Sequence, residues 1–386
     1  MLMLSVIESF LKRQNRIAIL RSVLAATALI RSLLMAGRRV VATKPGGPAT
    51  LQILSFDPPM SCAAGDVLVR VSRSTATYTD LLTINGHYRP QPPFPVTPGY
   101  DFVGTVTAIG DSVHTVAVGD MVAAMPRYGG MTTHVTIPSS EVYPIPRGMD
   151  ASAAVAVVLT GVTAYQMLHR SVGNRLATPD KASILVHGCV GGTGAMLVAL
   201  AKHMGIRTII GTCSSRNLPA AQASGVTAAV AYDGNVSWSQ EVIAASPGGH
   251  GVDVVFDPVL TGGYLARDVE SLAPGGKVVA YGLTNKSAPG TFGLSAVAVF
   301  ASLAMRHNLW SHLDGKDAEF YNVSSRKETH PADFASDLAT LLRLVQDGAL
   351  NPKADGGREW TLAEAPLALA AIAASTHRGK QIIICD

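Results

Sequence analysis

The chain has 386 residues, of which 48% are hydrophobic and 15% charged, a composition that excludes a disordered polymer and is long enough for two domains. Its formal net charge of +4 is small, and the sequence lacks the clustered basic face that nucleic-acid binding needs. The four cysteines are scattered, with no CxxC pair and no Cys/His cluster at metal-binding spacing. This pattern argues against a disulfide framework and favours a reducing compartment.

The first 36 residues differ in composition from the rest of the chain. Basic residues and serines alternate with Leu and Ile, and Glu8 is the one acidic residue. Such a segment is typical of an organellar transit peptide, so we expect a mitochondrial location if it is a leader and a cytoplasmic one otherwise. Two other interpretations are open: Met35 is the natural start, or the segment is a helix docked on the surface. In each case we expect the fold to survive truncation to Met35.

A β-rich region follows from Arg39 to about residue 146. Short strand-forming segments such as Val67–Val71 and Gly104–Gly110 are separated by Gly and Pro, a pattern that predicts a compact β domain. An apolar, helix-compatible stretch then extends from Ala151 to His169. This stretch and Ala182–Ala201 approach the length of a membrane span, but their glycines and polar residues favour buried elements of an α/β core over a span.

Strand and helix patterns alternate after Asp150, which predicts βαβ units and a parallel sheet. The predicted strands are Ser183–His187, Thr208–Thr212, Ala228–Tyr232, Asp253–Asp257, Lys277–Gly282 and Gln381–Cys385. The predicted helices are Gly192–His203, Tyr264–Leu272 and Pro331–Gly348.

A glycine-rich loop connects the first of these strands to a helix. Gly188, Gly191 and Gly194 follow the strand in the arrangement G-x-x-G-x-x-G, with Gly192 as a fourth glycine. Glycine allows the sharp turn, the approach of the backbone to a diphosphate and close packing of helix on sheet. The free N–H groups of the helix start then face the phosphates. We therefore predict a dinucleotide site here.

The end of the next strand indicates which dinucleotide binds. No Asp or Glu, the residues that hold the ribose of NAD, occurs between the glycine loop and residue 232. Ser214, Ser215 and Arg216 supply instead two hydroxyls and a guanidinium, which suit a 2′-phosphate. We therefore predict NADPH as the cofactor. The remaining predicted cofactor-binding residues are Thr163, Tyr232 and Gly282.

Several segments carry a family resemblance, namely Pro98–Gly104, Thr163–Tyr165, Val186–Gly194, Gly211–Asn217 and Pro274–Lys277. Together they resemble the quinone oxidoreductase branch of the medium-chain dehydrogenase/reductases, over about residues 38–386. The resemblance implies an α/β fold with a doubly wound Rossmann sheet and a GroES-like, β-rich catalytic domain. It implies a catalytic domain at 37–157, a Rossmann NADPH-binding domain at 158–345 and a return to the catalytic domain at 346–386, which leaves residues 1–36 as an N-terminal extension.

The zinc alcohol dehydrogenases of this superfamily bind their catalytic metal through a Cys in a C-H-T-D type segment and a His in G-H-E. The matching segments here are Thr77–Asp80 and Gly99–Asp101, so Thr77 and Tyr100 stand in place of the two ligands. Neither replaces a thiolate or an imidazole readily on zinc. The region of the structural zinc lobe, residues 119–137, contains no cysteine. We therefore expect no metal.

Hydride addition to a quinone or an enone needs no Lewis acid, because the acceptor is already electrophilic and the product anion is delocalised. The protein then supplies orientation and a hydrogen-bond donor. Tyr78 and Tyr88 are the predicted catalytic donors, since a phenol remains protonated near neutral pH. Asp80 is expected to hold the local backbone, and His187 to pack beside the cofactor loop.

Two alternatives to a quinone or enone reductase are open. One is a mitochondrial-type 2-enoyl-thioester reductase, in which the tyrosine of a G-x-Y segment, here Gly86–Tyr88, is the proton donor. The other is a non-catalytic NADPH-binding sensor or scaffold. We also expect a homodimer and no membrane span. The apolar stretch Leu294–Met305 could cover a partner subunit, and Glu319–Val323 is the predicted edge strand of the coenzyme-domain sheet.

Overall fold

The computed structural model describes residues 36–234, 237–260, 263–284, 295–353 and 356–386. The predicted leader and the beginning of the apolar stretch at Leu294 lie outside these residues. The described chain forms a β-rich domain and a domain built on a parallel sheet, which confirms the predicted α/β fold class.

The β-rich domain contains a largely antiparallel sheet with the strand order β14-β15-β3-β4-β5-β7, and β6 also pairs with β3. β1 and β2 form a separate antiparallel pair. The two last strands of the chain therefore belong to the same sheet as the early strands. The strands are β1 (Gly37–Val41), β2 (Gln52–Phe56), β3 (Asp66–Ala76), β4 (Phe102–Ile109), β5 (Met121–Ala124), β6 (His134–Pro138), β7 (Val142–Pro144), β14 (Arg358–Thr361) and β15 (Gln381–Ile384).

The second sheet is parallel throughout and has the order β10-β9-β8-β11-β12-β13. In its own numbering this is the doubly wound order 3-2-1-4-5-6, which places a ligand crevice at the carboxyl ends of the central strands. All five residues of β8 are buried, as a central strand covered on both faces requires. The strands are β8 (Ser183–His187), β9 (Thr208–Cys213), β10 (Ala228–Ala231), β11 (Val252–Asp257), β12 (Leu272–Ala280) and β13 (Asp317–Phe320).

Helices cover both faces of the parallel sheet and the interface between the domains. They are α1 (Tyr78–Ile84), α2 (Ala151–Val158), α3 (Thr160–Gln166), α4 (Gly192–His203), α5 (Leu218–Ser224), α6 (Trp238–Ala245), α7 (Tyr264–Ser271), α8 (Ser295–Met305), α9 (Ser311–Asp314), α10 (Val323–Thr329), α11 (Pro331–Gln346) and α12 (Ala365–Ala373). One large core cluster joins α2, α3 and α11 to β8 and α4, so the two domains share buried apolar side chains.

Two sequence predictions need correction. The predicted edge strand Glu319–Val323 is wrong in its bounds: β13 ends at Phe320, because Asn322 caps the helix that begins at Val323 by accepting from the Ser325 amide. The apolar stretch after Asp150 is not one helix, since α2 and the helical segment Thr160–Ser171 meet at an angle of 45°.

In the described part of the chain, no single helix is long and apolar enough to span a membrane. The bent pair Ala151–Val158 and Thr160–Ser171 reaches the required length and apolar composition only when its two helices are taken together.

Candidate active site

A cleft of about 630 Å³ lies between the two domains. One wall comes from the β-rich domain and the other from the carboxyl end of the parallel sheet, as the strand order requires. The cleft brings together eight of the predicted site residues: Tyr78, Tyr88, Thr163, Gly188, Gly191, Gly192, Gly194 and Gly282.

The glycine loop turns sharply between β8 and α4. Gly188 has a φ of +63°, and its carbonyl oxygen accepts a 2.8 Å hydrogen bond from the Gly191 amide. A Cβ on Gly194 would overlap with the same carbonyl oxygen, whereas one on Gly188 would meet no atom within 4 Å. The loop therefore has no space for a side chain at Gly194, whereas its backbone at Gly188 is unobstructed on the side of the cleft. Its open side offers the bare backbone that a diphosphate needs.

The C-terminal segment of the β-rich domain lies directly on this loop. The Gly379 amide donates a 2.8 Å hydrogen bond to the Val190 carbonyl, and Gly379 bridges to Gly191 as in a parallel sheet. The next residue, Lys380, is 4% exposed and lines the cleft. Its Cδ would be 3.5 Å from a Cβ on Gly192. A cationic side chain thus lies beside the site expected for phosphates.

Lys380 was not predicted from the sequence, although a lone lysine between Gly379 and an apolar terminal strand is a usable signal. The Lys380 charge also acts on the buried Asp101. Burial raises the pKa of Asp101 above its ordinary value, and the nearby Lys380 opposes that increase. The Asp101 carboxylate further accepts a 3.1 Å hydrogen bond from the Leu159 amide, at the junction of α2 and α3.

The residues predicted to bind a 2′-phosphate lie together after β9, outside the residues that line the main cleft. Ser214 is buried, and its hydroxyl accepts a 3.1 Å hydrogen bond from the side-chain amide of Asn217. Burial raises the pKa of Tyr232, and a hydrogen bond with Ser214 opposes that increase. Arg216 donates to the carbonyl oxygen of Ser375. Ser214, Arg216 and Tyr232 thus form one polar corner.

Asp233 is an acidic neighbour of this corner that was not predicted from the sequence, because it lies one residue beyond the acid-free stretch. Its carboxylate accepts from the amide of Ser215 at 2.8 Å and from the Ser215 hydroxyl at 3.3 Å. The Ser215 hydroxyl is therefore already engaged. The Ser214 hydroxyl, in contrast, is hydrogen bonded to Tyr232.

The tyrosines lie on the wall formed by the β-rich domain. Tyr78 is the first residue of α1, and Tyr88 follows the end of that helix and is 8% exposed. The hydroxyl of Tyr88 is 3.0 Å from that of Tyr100, which is hydrogen bonded to Ser324. Ser324 belongs to α10 of the other domain, and its role has no signal in the local sequence.

Asp80 holds the backbone around this wall, as predicted. Its carboxylate accepts from the Thr77 amide at 2.8 Å, from the Thr77 hydroxyl at 2.8 Å and from the Gly99 amide at 2.7 Å. Burial raises the pKa of Asp80 to about 6, although these hydrogen bonds favour the carboxylate. The contacts fix the start of α1 and the turn that precedes Tyr100.

The two positions that correspond to zinc ligands are occupied by side chains with other partners. The Thr77 hydroxyl donates to Asp80, and the Tyr100 hydroxyl contacts Tyr88 and Ser324. Across the described ranges, no group of three or more His, Cys, Asp or Glu side chains is arranged to hold a metal ion.

A buried polar network lies behind the glycine loop. His187 contacts Thr212 through Nδ1 at 2.7 Å and Asp268 through Nε2 at 2.8 Å. Burial raises the pKa of Asp257 to about 8, and the charge of Asp268 adds to the increase. Burial also raises the pKa of Asp268, and the Asp257 carboxyl group accepts from the Val259 amide at 2.6 Å and from the Leu260 amide at 2.9 Å. His187 packs beside the cofactor loop, as predicted.

Comparison with known protein families supports both domains. The model of the alcohol dehydrogenase GroES-like domain matches residues 63–147, and that of the zinc-binding dehydrogenases matches residues 192–326. The human synaptic vesicle membrane protein VAT-1 homolog is 34% identical over 227 residues, which are 59% of this chain and 56% of the relative. The match therefore spans just over half the length of that protein.

Solved structures share the whole fold. The quinone oxidoreductase of Pseudomonas syringae pv. tomato DC3000 superposes with a TM-score of 0.76 at 24% identity, over 90% of this chain and 99% of the other. The Escherichia coli quinone oxidoreductase complexed with NADPH superposes with a TM-score of 0.75 at 21% identity, over the same shares. At these identities the likeness establishes the fold.

Proposed function

Because the chain belongs to the quinone oxidoreductase-like family of medium-chain dehydrogenase/reductases, we propose that it transfers hydride from NADPH to a quinone or an α,β-unsaturated carbonyl. One observation carries this proposal: the glycine loop Gly188–Gly194 and the tyrosines Tyr78 and Tyr88 line the same cleft. The backbone proposed to bind the dinucleotide and the phenolic hydrogen-bond donors are thus within reach of a cofactor and an acceptor bound in the same cleft.

The cofactor proposal rests on the fit of the residues present. The open side of the glycine loop and the start of α4 would hold the diphosphate, with the Lys380 cation beside them. Ser214, Arg216 and Tyr232 would hold the adenosine 2′-phosphate. The NADPH complex of the Escherichia coli enzyme, which has the same fold, supports this choice.

In the proposed reaction, bound NADPH supplies the hydride. The chain orients the acceptor in the cleft, where Leu82 and Leu159 contribute apolar surface that limits the access of water. The Tyr88 hydroxyl donates a hydrogen bond, and then its proton, to the acceptor oxygen on which negative charge develops. Tyr78 is proposed as a second donor from the start of α1.

We propose that the reaction needs no metal. The Thr77 and Tyr100 side chains stand at the positions of two zinc ligands and are held in hydrogen bonds with Asp80, Tyr88 and Ser324. Zinc prefers thiolate and imidazole ligands over these hydroxyls. A quinone or enone is electrophilic enough to accept hydride when the protein supplies hydrogen-bond donors alone.

The direct test follows NADPH oxidation at 340 nm by the purified chain with 9,10-phenanthrenequinone, a simple enone and crotonyl-CoA. We expect turnover with the quinone that is faster with NADPH than with NADH and is unaffected by prior treatment with EDTA. Loss of turnover after EDTA treatment, with recovery on addition of Zn²⁺, would contradict the metal-free reaction.

The same assay separates the two alternative functions. Turnover of crotonyl-CoA as fast as that of the quinone would favour a 2-enoyl-thioester reductase, with Tyr88 of the G-x-Y segment as proton donor. Tight NADPH binding without oxidation by any acceptor would favour a sensor or scaffold. The similarity to a synaptic vesicle membrane protein gives this sensor or scaffold outcome particular interest, because the name of that relative states a location and no reaction.

We further propose that two copies of the chain associate through β13, which is one of the two edge strands of the parallel sheet in the described structure. Met305 and Leu309, in the segment before this strand, are 46% and 57% exposed. Pairing of two edge strands would satisfy their backbone groups and cover these apolar side chains. Sedimentation velocity should show a dimer for the wild-type chain and a monomer for Leu309→Asp, and a monomeric wild type would contradict the proposal.

A further inference from the structure

A continuous chain of hydroxyl groups leads from the cleft to the domain interface. The Tyr88 hydroxyl lies 3.0 Å from the Tyr100 hydroxyl, which is hydrogen bonded to the hydroxyl of Ser324. The two tyrosines line the cleft, whereas Ser324 is 5% exposed and comes from α10 of the coenzyme domain. Of these three residues, only Tyr88 has a role in the proposed reaction.

The direction of the two hydrogen bonds follows from the proton count. A hydroxyl carries one proton to donate, so a Tyr88 that donates to the acceptor receives a hydrogen bond from Tyr100, and Tyr100 receives one from Ser324. Burial raises the pKa of Tyr100 well above its ordinary value, and the nearby Tyr88 adds to the increase. Tyr100 therefore keeps its proton near neutral pH and is available as a donor.

The backbone holds Tyr100 in a fixed orientation. The preceding residue, Gly99, has a φ of +105°, and its amide donates to the buried Asp80 carboxylate at 2.7 Å. The Tyr100 carbonyl accepts a 3.1 Å hydrogen bond from the Arg127 amide. The rings of Tyr88 and Tyr100 meet edge to face, with centroids 6.1 Å apart. This geometry leaves the Tyr100 hydroxyl little freedom to choose another partner.

Helix α10 is anchored to the β-rich domain, which brings Ser324 to Tyr100. Lys327 donates to the Met125 carbonyl at 3.2 Å and forms an ion pair with Glu141. Glu328 forms an ion pair with Arg127, next to the Tyr100 turn. The hydroxyl chain is therefore complete when the two domains are docked in this arrangement.

We propose that Tyr100 and Ser324 are positioning residues for the reductase reaction, an inference that rests on the proposed function. Tyr100 donates a hydrogen bond to the Tyr88 oxygen, directs the Tyr88 proton toward the acceptor, and stabilises the phenolate that remains after transfer. Ser324 supports Tyr100 in the same way. The acceptor gains a hydride from the reduced nucleotide and a proton from Tyr88, whose O–H bond breaks. The Tyr88 phenolate recovers a proton from water after the product leaves.

The test compares Tyr100→Phe and Ser324→Ala in the full chain, with NADPH and 9,10-phenanthrenequinone. We expect kcat to fall about 10- to 100-fold in Tyr100→Phe and by a smaller factor in Ser324→Ala, as for other groups that support a reacting residue. The KM for NADPH should change less than about twofold, because neither residue is proposed to bind the cofactor. Ser324→Thr should recover the activity, since it keeps the hydroxyl.

Two control variants match these changes. Ser325, the neighbour of Ser324 on the same helix, is exposed, and Tyr128 is 43% exposed. Ser325→Ala and Tyr128→Phe should retain wild-type kcat. A second readout uses the protein without NADPH, labelled with [ζ-¹³C]tyrosine. The Tyr88 signal, assigned by its loss in Tyr88→Phe, should shift in Tyr100→Phe because its oxygen has lost a donor.

The outcomes separate this inference from the proposed function. One outcome would overturn the positioning role alone. In it, Tyr88→Phe has a lowered kcat, whereas Tyr100→Phe keeps the wild-type kcat and an unshifted Tyr88 signal. A Tyr100→Phe with raised KM for NADPH and lowered thermal stability would show a structural role and overturn it as well. Wild-type activity in Tyr88→Phe, or no turnover by the wild type with any acceptor, would remove the donor and with it both proposals.

Discussion

The Gly379 amide and the Val190 carbonyl are joined by a 2.8 Å hydrogen bond, which links the C-terminal segment of the β-rich domain to the glycine loop of the coenzyme domain. These residues are far apart in sequence, and their contact places Lys380 beside Gly192. Since backbone groups of both domains take part, the loop is supported from outside its own turn. The cofactor site is therefore a joint property of the two domains.

The glycine loop should tolerate no side chain at Gly194. A Cβ there would overlap with the Gly188 carbonyl oxygen, which is a backbone atom and cannot rotate away. We expect Gly194→Ala to lower NADPH affinity at least 10-fold, and to lower the midpoint of thermal unfolding. Titration of NADPH fluorescence measures the affinity. Gly47→Ala is the matched control, because a Cβ on Gly47 meets no atom within 4 Å, and it should bind as the wild type does.

Arg216 should determine the preference for NADPH over NADH. Its guanidinium lies in the polar corner with Ser214 and Tyr232, where a 2′-phosphate would bring negative charge. Arg216→Glu should raise the KM for NADPH by about 10-fold or more and leave that for NADH nearly unchanged. Arg207→Glu, which reverses an exposed charge just before β9, is the control. Equal KM values for NADPH in the wild type and Arg216→Glu would refute the assignment.

Asp233 should oppose the same preference. Its carboxylate accepts from Ser215 at 2.8 Å and 3.3 Å, so it places a negative charge next to the proposed phosphate site. Asp233→Asn keeps an acceptor for the Ser215 amide and removes the charge. We expect the KM for NADPH to fall only about two- to fivefold, since the repulsion from an exposed charge is screened by water. An unchanged or increased KM would place the phosphate elsewhere.

Stability should depend on pH through Asp257. Burial raises its pKa to about 8 from an ordinary value of 3.8, so the folded chain holds a proton that the unfolded chain releases. The corresponding stabilisation is fully present at low pH and is lost as pH rises toward about 8. This group should lower the free energy of unfolding by about 1 kcal/mol per pH unit between about pH 5 and 8.

Urea denaturation of the wild type and Asp257→Asn at several pH values isolates this contribution. The difference in unfolding free energy between the two chains should shrink as pH rises and then become constant above about pH 8. Asp111→Asn, which alters an exposed carboxylate, should keep a constant difference from the wild type. A pH-independent difference for Asp257→Asn would show that Asp257 is ionised throughout.

Local patterns were enough to predict much of the coenzyme domain. The bounds of β8 (Ser183–His187) and α4 (Gly192–His203) agree with the predicted ones, because an apolar run followed by glycines determines both elements from neighbouring residues. The break in the apolar stretch after Asp150 had no such signal. The bend there coincides with a hydrogen bond from the Leu159 amide to Asp101, a contact that only the tertiary structure provides.

In the candidate site, too, some residues were predicted from local patterns and others were missed. Glycine spacing and the family resemblance brought out the loop and the tyrosines, which share one cleft. Asp233 was missed because it lies one residue beyond the acid-free stretch, and Lys380 was missed although its local sequence carries a usable signal. Ser324 was missed for a different reason, because its contact with Tyr100 joins residues 224 positions apart. No local pattern specifies such a pair, since it depends on how the two domains pack.

The central claim, that this cleft transfers hydride from NADPH to an electrophilic acceptor, is tested most directly by a single-turnover experiment. The EDTA-treated chain, saturated with NADPH, is mixed with 9,10-phenanthrenequinone while the absorbance at 340 nm is followed. We predict a rapid exponential loss of absorbance that is slowed about 100-fold in Tyr88→Phe. No loss of absorbance from a chain that binds NADPH tightly would contradict the claim.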